Sequence, residues 1–348
     1  MISLVTGGAG FIGSHLSEAL LARGNVVRVL DDLSTGYIRN LPPEDPGRLE
    51  FINASIRDLP VLRSALQGVD TVYHLAALVA VPESVENPRK CIDLNDLGVY
   101  ELLEAASSGG VRRVVLSSSS AVYGEIEPPH HEDLCPRPDT PYALHKLLGE
   151  HYGLFFSQHR GLETVFLRYF NVYGPRQLPD SPYSGVISIF MDCLNRGRAG
   201  LIFDDGLQTR DFVYVDDVVR ANLLAAAKSG LSGQAFNIGS GRAASILELH
   251  RHLAALAGLE DKSPVFAPPR PGDIRHSYGP MDKAARLLGF RAEVGLPEGL
   301  ARTWDWFRTA AAADWGQGFR RPETSAGLSH LPQHTPEPPG SGPGKSNF

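Results

Sequence analysis

Tyr142 and Lys146 lie four positions apart near the start of a predicted helix, in the segment PYALHK. Side chains at this spacing share one face of a helix. A tyrosine hydroxyl has a reference pKa of about 10, which is too high for a general base at neutral pH. A neighbouring ammonium favours the phenolate and brings such a base towards the operating pH. The pair therefore suggests acid–base chemistry, although taken alone it is better explained as an aromatic–lysine pair on an exposed helix face.

A run of four serines, Ser117 to Ser120, follows an apolar segment and precedes the sequence AVYG. The carboxyl ends of parallel strands face the ligand crevice in open α/β sheets. A hydroxyl at such a strand end can hydrogen-bond a reacting substrate oxygen and share its proton with the tyrosine. We therefore predict that Ser119 assists Tyr142. A polar loop after a strand is the alternative.

Three glycines, Gly7, Gly10 and Gly13, lie in the motif TGGAGFIG directly after a short apolar run. Glycine lets a turn bend sharply, approach phosphates and pack its helix against the sheet. The helix N-terminus then binds a pyrophosphate through its free N–H groups. A second apolar run ends in Asp31 and Asp32, at about the distance expected for an acid that binds a ribose diol. The pattern predicts a dinucleotide site. The alternative is a structural glycine turn followed by a solvated acidic pair.

Strand-like and helix-like segments alternate through the first half of the chain, which is typical of a parallel sheet covered on both faces. Several of the strand-like runs are almost entirely apolar, as expected of strands buried on both sides. We predict an α/β fold: a doubly wound Rossmann-type parallel sheet with a smaller mixed α/β substrate-binding lobe. The predicted strands are 3–6, 26–30, 49–52, 71–74, 113–117 and 164–168, and the predicted helices are 11–22, 59–66, 93–106 and 142–159.

The second half of the chain is less regular, with helices predicted at 187–196 and 245–257. We predict a cofactor-binding domain over 1–170 with a return contribution from about 207–240, and a substrate-binding lobe over 171–315. The last residues, 318–348, are rich in Pro, Gly and Ser and have little to bury. This tail is predicted to be disordered.

The composition excludes several classes of protein. A net charge of −6 argues against a general polyanion binder, so no nucleic-acid partner is predicted. Neither a signal peptide nor a membrane span is indicated, and the three scattered cysteines are expected to be reduced and mostly buried. We therefore predict a cytoplasmic protein. No metal is predicted, because His130 and His131 lie in a Pro-rich loop without further ligands at metal spacing.

Together these motifs resemble the extended short-chain dehydrogenase/reductase family, and within it the nucleotide-sugar 4-epimerases that act on UDP-glucose or UDP-N-acetylglucosamine. The resemblance covers residues 1–310 in order. It is carried by TGGAGFIG, Asp31-Asp32, the HLAA segment from His74, the Ser119/Tyr142/Lys146 set and RYFNVYGPR from Arg168.

The resemblance implies tightly bound NAD and a UDP-sugar substrate. Asp31 is expected on the adenosine ribose, Asp58 near the adenine, and two arginines on the substrate diphosphate, whose oxygens suit a planar guanidinium. A surface salt bridge is the alternative for each arginine, as the neighbours Arg210 and Asp211 illustrate. The implied cofactor residues are Gly7, Gly10, Phe11, Ile12, Gly13, Asp31, Asp32, Asp58, Leu75, Ala76, Ala77, Asn95, Ser117, Tyr142, Lys146 and Tyr169. The implied substrate residues are Ser119, Asn171, Arg210, Arg270, Asp273 and Ser277.

Related enzymes begin alike, by oxidising C4 of the sugar, and then diverge. The 4,6-dehydratases carry an Asp-Glu pair just after the catalytic hydroxyl residue, and the decarboxylases carry a Glu at the second of these positions. Ser120 and Ala121 occupy the two positions in this chain. An alanine cannot act as an acid or base. The resemblance therefore implies the simpler outcome, in which hydride leaves C4, the 4-keto sugar turns in its pocket and hydride returns to the other face.

Ser277 matches a position that in this family faces C2 of the sugar. A tyrosine there restricts the pocket, whereas a small residue leaves space for a 2-N-acetyl group, a difference that can amount to about 1–3 kcal/mol of discrimination. Serine thus predicts that UDP-GlcNAc and UDP-GalNAc are accepted, unless Ser277 is an ordinary turn residue. Departures from the family pattern occur at His145, Asp204, Val79 and the segment NDLGV from Asn95, and none removes a catalytic group.

We therefore predict an NAD-dependent 4-epimerase of UDP-GlcNAc/UDP-GalNAc, UDP-Glc/UDP-Gal or both. Alternatives are a UDP-glucuronate 4-epimerase or another sugar-nucleotide-modifying member of the family. A nucleotide-binding sensor is the non-enzyme alternative, although such proteins typically lose the Tyr/Lys pair. The helix at 142–159 also carries a wide apolar stripe, and similar proteins dimerise through a four-helix bundle built on this helix, so a homodimer is predicted. The stripe is formed by Leu144, Leu147, Leu148, Tyr152, Phe155 and Phe156.

Overall fold

The computed structural model describes residues 1–43, 45, 47–177, 185–269 and 274–312 of the 348-residue chain. Arg270, Asp273 and the predicted tail at 318–348 lie outside the described residues.

Seven strands form one parallel sheet in the order β10-β6-β5-β4-β1-β2-β3. The order reverses between β1 and β4, which is the topological switch point where doubly wound sheets bind ligands. The predicted α/β fold is thus confirmed. The strands of the chain are β1 Ile2–Thr6, β2 Val26–Asp31, β3 Leu49–Asn53, β4 Thr71–His74, β5 Arg113–Ser119, β6 Glu163–Tyr169, β7 Asn171–Tyr173, β8 Leu201–Phe203, β9 Thr209–Tyr214, β10 Gln234–Ile238, β11 Ala243–Ser245, β12 Val265–Ala267 and β13 His276–Ser277.

Helices cover both faces of this sheet. Adjacent residues of β1, Leu4 and Val5, are both fully buried but belong to different apolar clusters, because side chains alternate along a strand. The helices are α1 Phe11–Ala22, α2 Leu59–Ala65, α3 Val81–Glu86, α4 Pro88–Cys91, α5 Gly98–Ser108, α6 Pro141–His159, α7 Val186–Asn195, α8 Val215–Ala227, α9 Ile246–Leu256 and α10 Leu296–Ala312. Side chains of α1 and α8 pack with Val5, and those of α2, α5 and α6 pack with Leu4.

A second, smaller sheet is centred on β9, which pairs with β7, β11 and β13. The pair with β11 is antiparallel, whereas those with β7 and β13 are parallel. A third apolar cluster joins this sheet to the helices α7, α9 and α10 through Phe190, Leu249, Trp304 and Phe212. These elements form the predicted mixed α/β lobe. Its strands other than β9 have only two or three residues, which is too short for a period of two to be recognised in the sequence.

The predicted helix at 93–106 differs in one respect from the structure. Residues Ile92–Leu97 form a π-helix, and a regular α-helix begins only at Gly98. π-helical turns are frequent at functional sites because they redirect side chains.

The cysteines also differ from expectation, since Cys135 is exposed in a surface loop while Cys91 is buried.

Candidate active site

The carboxyl end of β5 and the first turn of α6 bring the three predicted catalytic residues together. The β5 strand runs two residues further than predicted, so that Ser119 pairs with Tyr169 of the neighbouring strand. The Ser119 hydroxyl accepts a hydrogen bond from the Ala121 N–H at 3.2 Å. The helix α6 is capped by Thr140, whose hydroxyl accepts from the Ala143 N–H at 3.2 Å. Local hydrogen bonds therefore fix both the end of β5, which carries Ser119, and the start of α6, which carries Tyr142.

The side chain of Lys146 is hydrogen-bonded to β5. Its ammonium donates to the carbonyl of Ser117 at 2.9 Å and lies 3.4 Å from the Ser117 hydroxyl. The same nitrogen lies 5.9 Å from the centre of the Tyr142 ring. Burial lowers the pKa of Lys146 to about 8, and the nearby Cys91 partly offsets this shift. Lys146 is consequently placed to orient a ligand against Tyr142 and titrates near neutral pH.

The pKa of Tyr142 shifts in the direction opposite to the one expected from the sequence. Burial raises it above its ordinary value, and a hydrogen bond with Ser119 opposes that shift without reversing it. Desolvation disfavours the phenolate more than its neighbours favour it. The protein alone therefore keeps Tyr142 neutral, and a positive charge brought by a ligand is needed to lower its pKa.

A cavity of about 560 Å³ extends from this catalytic end to the glycine turn. It lies at the carboxyl edge of the main sheet, across the point where the strand order reverses. Most of the predicted cofactor residues line it, together with the predicted catalytic residues. These are Gly7, Gly10, Phe11, Ile12, Gly13, Asp31, Asp32, Leu75, Ala76, Ala77, Ser117, Ser119, Tyr142, Lys146 and Tyr169.

The glycine turn is too tight for side chains. Gly7 has a φ of +70°, and a Cβ there would lie 2.7 Å from the Ala76 nitrogen. A Cβ on Gly13 would overlap the carbonyl oxygen of Gly7. The carboxylate of Asp31 accepts from the N–H groups of Ala9 at 2.9 Å and Leu33 at 2.8 Å, and burial raises its pKa. This turn therefore exposes the N-terminus of α1 to the cavity and holds an acid beside it, as a dinucleotide requires.

Two predicted cofactor residues are not among those that line the cavity. The carboxylate of Asp58 caps α2 by accepting from the Val61 N–H at 3.3 Å. The side chain of Asn95 accepts from the Leu78 N–H at 2.9 Å and donates to the Leu78 carbonyl at 2.8 Å. Asn95 thus fixes the segment that follows β4, which forms a wall of the cavity.

Apart from Ser119 on β5, the predicted substrate residues that the structure describes lie on the smaller sheet. Ser277 pairs with Arg210 in the β13–β9 register, and Asn171 pairs with Phe212, two residues further along β9. Arg210 donates to the carbonyl of Thr209 at 2.9 Å, and Ser277 is buried. The smaller sheet therefore brings Asn171, Arg210 and Ser277 close in register, while Arg270 and Asp273 remain predictions.

Arg176 is a cavity residue that the sequence did not identify as functional. Its guanidinium donates to Glu18 at 2.7 Å and to the Ser14 hydroxyl at 3.3 Å, and its φ is +70°. A left-handed backbone at a residue other than glycine often accompanies function. The motif RYFNVYGPR contains this arginine, but nothing in the motif distinguishes a cavity-lining arginine from a solvated one.

The described part of the chain contains no group of three or more His, Cys, Asp or Glu side chains arranged to hold a metal ion. It also contains no helix that is both long and apolar enough to cross a bilayer.

Comparison with known proteins agrees with this geometry. Residues 3–239 match the NAD dependent epimerase/dehydratase family. The chain is 42% identical to a UDP-glucose 4-epimerase of Mycolicibacterium smegmatis over 88% of its own length and 99% of the relative. It superposes with a TM-score of 0.85 on a UDP-glucose 4-epimerase of Thermotoga maritima crystallised with UDP-glucose, at 41% identity, covering 89% of this chain and 100% of that one.

A second solved structure broadens the range of related substrates. The UDP-N-acetylglucosamine 4-epimerase of Methanobrevibacter ruminantium, in complex with UDP-N-acetylmuramic acid, matches with a TM-score of 0.83 and 36% identity over 88% of this chain and 98% of that one. The cavity fits a dinucleotide, because it extends from the tight glycine turn and Asp31 at the end of β2 to Lys146. The chain therefore belongs to the NAD dependent epimerase/dehydratase family, and its cofactor is NAD.

Proposed function

We propose that this protein is an NAD-dependent 4-epimerase of UDP-hexoses. One observation carries the proposal. Ser119, Tyr142 and Lys146 meet at one end of the cavity, and the residue two positions after the serine, whose backbone N–H donates to the serine hydroxyl, is an alanine, Ala121, rather than an acid. An epimerase needs no further catalytic group once C4 has been oxidised, whereas a dehydratase or decarboxylase needs one.

In this proposal each catalytic residue has a separate role. Tyr142 takes the proton of the sugar 4-hydroxyl and later returns it, as a general base and then a general acid. Ser119 hydrogen-bonds the same oxygen, and Lys146 holds the cofactor ribose and favours the phenolate. NAD held by these residues would supply the hydride acceptor and donor of the reaction, and a positive charge that favours the Tyr142 phenolate. Between the two hydride transfers, the 4-keto sugar is retained because the protein binds the nucleotide part of the substrate.

Binding of the nucleotide is proposed to depend on residues of the smaller sheet, together with Arg270 and Asp273. Arg210 and Arg270 are proposed to bind the diphosphate, Asn171 to contact the sugar nucleotide and Asp273 to bind the uridine-side ribose. Arg suits this task because its planar guanidinium can donate two parallel hydrogen bonds to phosphate oxygens. Arg176, which closes the cofactor end of the cavity, is proposed to contact NAD rather than the sugar.

The proposal is tested by offering the purified protein UDP-Glc, UDP-GlcNAc and UDP-GlcA separately and resolving the C4 epimers. We expect interconversion of UDP-Glc with UDP-Gal, or of UDP-GlcNAc with UDP-GalNAc, and loss of turnover by at least about 100-fold in Tyr142→Phe. The variant should keep its fold and its NAD. Unchanged turnover in Tyr142→Phe would refute the mechanism, and conversion of UDP-GlcA alone would favour the UDP-glucuronate alternative.

Ser277 is proposed to set the sugar range, because it is buried and pairs in register with the diphosphate-binding strand. Its small side chain leaves room for a 2-N-acetyl group. Ser277→Tyr should therefore reduce kcat/KM for UDP-GlcNAc by about 10- to 100-fold and leave that for UDP-Glc within a few-fold. Equal losses for the two sugars would show that residue 277 does not face C2.

A further inference from the structure

A carboxylate that the proposed mechanism does not use lies next to Arg210 on β9. Asp211 is fully buried. Successive side chains of a strand point to opposite faces, so Asp211 is directed away from the face that carries Arg210. One carboxylate oxygen accepts from the Ser240 N–H at 2.7 Å and from the Ser240 hydroxyl at 2.7 Å, and the other accepts from the Gly241 N–H at 2.9 Å. Asp211 is thus bound to a single loop.

This loop connects the main sheet to the smaller sheet centred on β9. The chain leaves the main sheet at the end of β10, passes through residues 239–242 and enters the smaller sheet as β11. A second crossing, between β6 and β7, lies beside it, because the Phe170 N–H donates to the carbonyl of Ile238 at 3.0 Å. A carboxylate on β9 that holds residues 240 and 241 therefore fixes the smaller sheet against the main sheet at the point where they join.

The loop is shaped around the carboxylate. A Cβ on Gly239 would lie 2.5 Å from an Asp211 oxygen, so a larger residue would displace it. Gly241 has a φ of +74°, which turns its N–H towards the same group. Consecutive backbone N–H groups in such a conformation form a concave anion-binding nest. The nest accepts a carboxylate and disfavours an amide, since an Asn side chain would direct one of its N–H groups at another donor.

The arrangement is costly if it serves stability alone. Burial outweighs the three hydrogen bonds and raises the pKa of Asp211 to about 6, and the groups that act on it within the described residues are the Ser240 hydroxyl and the N–H groups of Ser240 and Gly241, with no cation. Buried charged groups are retained in some proteins because they select one arrangement of the chain. A role in geometry explains why the carboxylate is present.

We propose that Asp211 is a positioning residue for the nucleotide end of the substrate: by binding the 239–241 loop it fixes β9, and with it Arg210, relative to the catalytic end of the main sheet. The inference rests on the proposed function in one respect, that Arg210 binds the substrate diphosphate. It assigns no direct contact between Asp211 and the substrate.

The test compares Asp211→Asn with the wild-type NAD-bound enzyme. UDP affinity is measured by calorimetry, together with kcat, KM, bound NAD and the unfolding temperature. We expect UDP affinity to fall about tenfold, because one charge-assisted hydrogen bond to the diphosphate would be misplaced. KM should rise by the same factor, and the NAD content should not change. In the double variant Arg210→Ala/Asp211→Asn, UDP should bind no more weakly than in Arg210→Ala, because the two residues act through the same contact.

Asp217 provides a control that differs from Asp211 in one respect, since Arg220 donates to its carboxylate at 2.7 Å. Its carboxylate is buried on α8 and accepts from two backbone N–H groups, those of Glu293 at 2.9 Å and Val294 at 3.1 Å, in a different loop. Asp217→Asn should lower the unfolding temperature and leave UDP affinity unchanged. Ser240→Ala removes one of the three hydrogen bonds and should weaken UDP binding less than Asp211→Asn does. If Asp211→Asn does not fold, the UDP affinity of Ser240→Ala tests the inference in its place.

Two results would overturn the inference: a loss of UDP affinity in Asp211→Asn no greater than in Asp217→Asn, or losses that add in the double variant. A wild-type protein that fails to bind UDP would instead refute the proposed function. Wild-type binding that depends on Arg210 but not on Asp211 or Ser240 would refute only the role of Asp211.

Discussion

At the scale of single residues, burial acts on the catalytic pair by disfavouring both charged forms. It raises the pKa of the Tyr142 hydroxyl and lowers that of the Lys146 ammonium to about 8. In the protein alone the proton therefore stays on Tyr142, and the loss of charge at Lys146 falls within an accessible pH range. A base of this kind becomes active only when a cationic ligand lies beside it. This couples proton removal to the presence of the cofactor.

The lysine shift predicts a pH dependence. Lys146 is charged below its pKa and neutral above it, and loss of its charge makes the Tyr142 phenolate less favourable. The initial rate with saturating substrate should therefore decline as the pH rises through about 8. Lys146→Arg, which stays charged, should be slower overall but show no decline in this range. The same decline in Lys146→Arg would assign it to another group.

The place of a predicted residue can be read from the sequence where it follows directly from a position on an element. Asp31 lies at the end of β2 and Ser119 at the end of β5, and both line the cavity, because strand ends meet at one edge of the sheet. Arg176 was not identified from the sequence, and Asn95, predicted at the cofactor, is not among the residues that line the cavity. Their positions depend on a left-handed backbone and on a π-helix, which leave no pattern in residue type or spacing.

At the scale of elements, the unit formed by β1, the glycine turn and α1 combines stability with cofactor binding. Each glycine of the turn is needed for a different reason. A Cβ on Gly13 would overlap the Gly7 carbonyl and part the helix from the turn, whereas a Cβ on Gly10 would meet only that carbonyl, at 3.2 Å. Substitutions at Gly13 and Gly10 therefore distinguish the packing of α1 against the turn from the binding of the cofactor.

This difference is testable with two alanine variants. Gly13→Ala should destabilise the protein by about 1–3 kcal/mol in urea unfolding, because the overlap forces the backbone apart. It should also lose most of its NAD. Gly10→Ala should unfold within about 0.5 kcal/mol of wild type while retaining less NAD, since its methyl group projects where the pyrophosphate approaches the helix. Equal destabilisation in the two variants would contradict the packing argument.

Element prediction from sequence was reliable for the main sheet and weak for the smaller one. The six predicted strands match β1 to β6 within two residues at each end, because long apolar runs between helices have few other solutions. The strands β7, β11 and β13 have only two or three residues, and each is held by pairing with β9 rather than by its own pattern. Such strands are determined by tertiary contacts, which a local reading of the sequence does not contain.

At the scale of the whole molecule, the cofactor and the substrate diphosphate are proposed to bind to different sheets. The catalytic residues lie on β5 and α6, and the proposed diphosphate-binding Arg210 lies on β9. The described chain passes between these two sheets at Phe170, through α8 and at 239–242. The first and last of these crossings lie side by side, because the Phe170 N–H donates to the Ile238 carbonyl, and Asp211 binds residues 240 and 241. We infer that this junction contributes to the relative placement of the two ligands.

One face of the molecule, formed by α6 and the segment containing α5, exposes large apolar side chains. Leu144 and Phe155 on α6 are 46% and 47% exposed, and Leu97 and Tyr100 beside them are 43% and 39% exposed. The ring of Tyr100 lies 5.7 Å from that of the partly buried Tyr152, so that α5 and α6 contact each other along this face. Contiguous apolar surfaces of this kind mark interfaces in soluble proteins.

We propose that this face forms a homodimer, in which two helices from each chain build a four-helix bundle around a two-fold axis. Size-exclusion chromatography with light scattering should give twice the chain mass of 37.7 kDa for the wild type. Leu144→Glu/Phe155→Glu should give a folded monomer, because charges at the centre of such an interface cannot be solvated. Phe266→Glu, at a side chain 53% exposed on β12, should remain dimeric. A monomeric wild type, or dissociation caused equally by Phe266→Glu, would place the apolar face of α6 outside any interface.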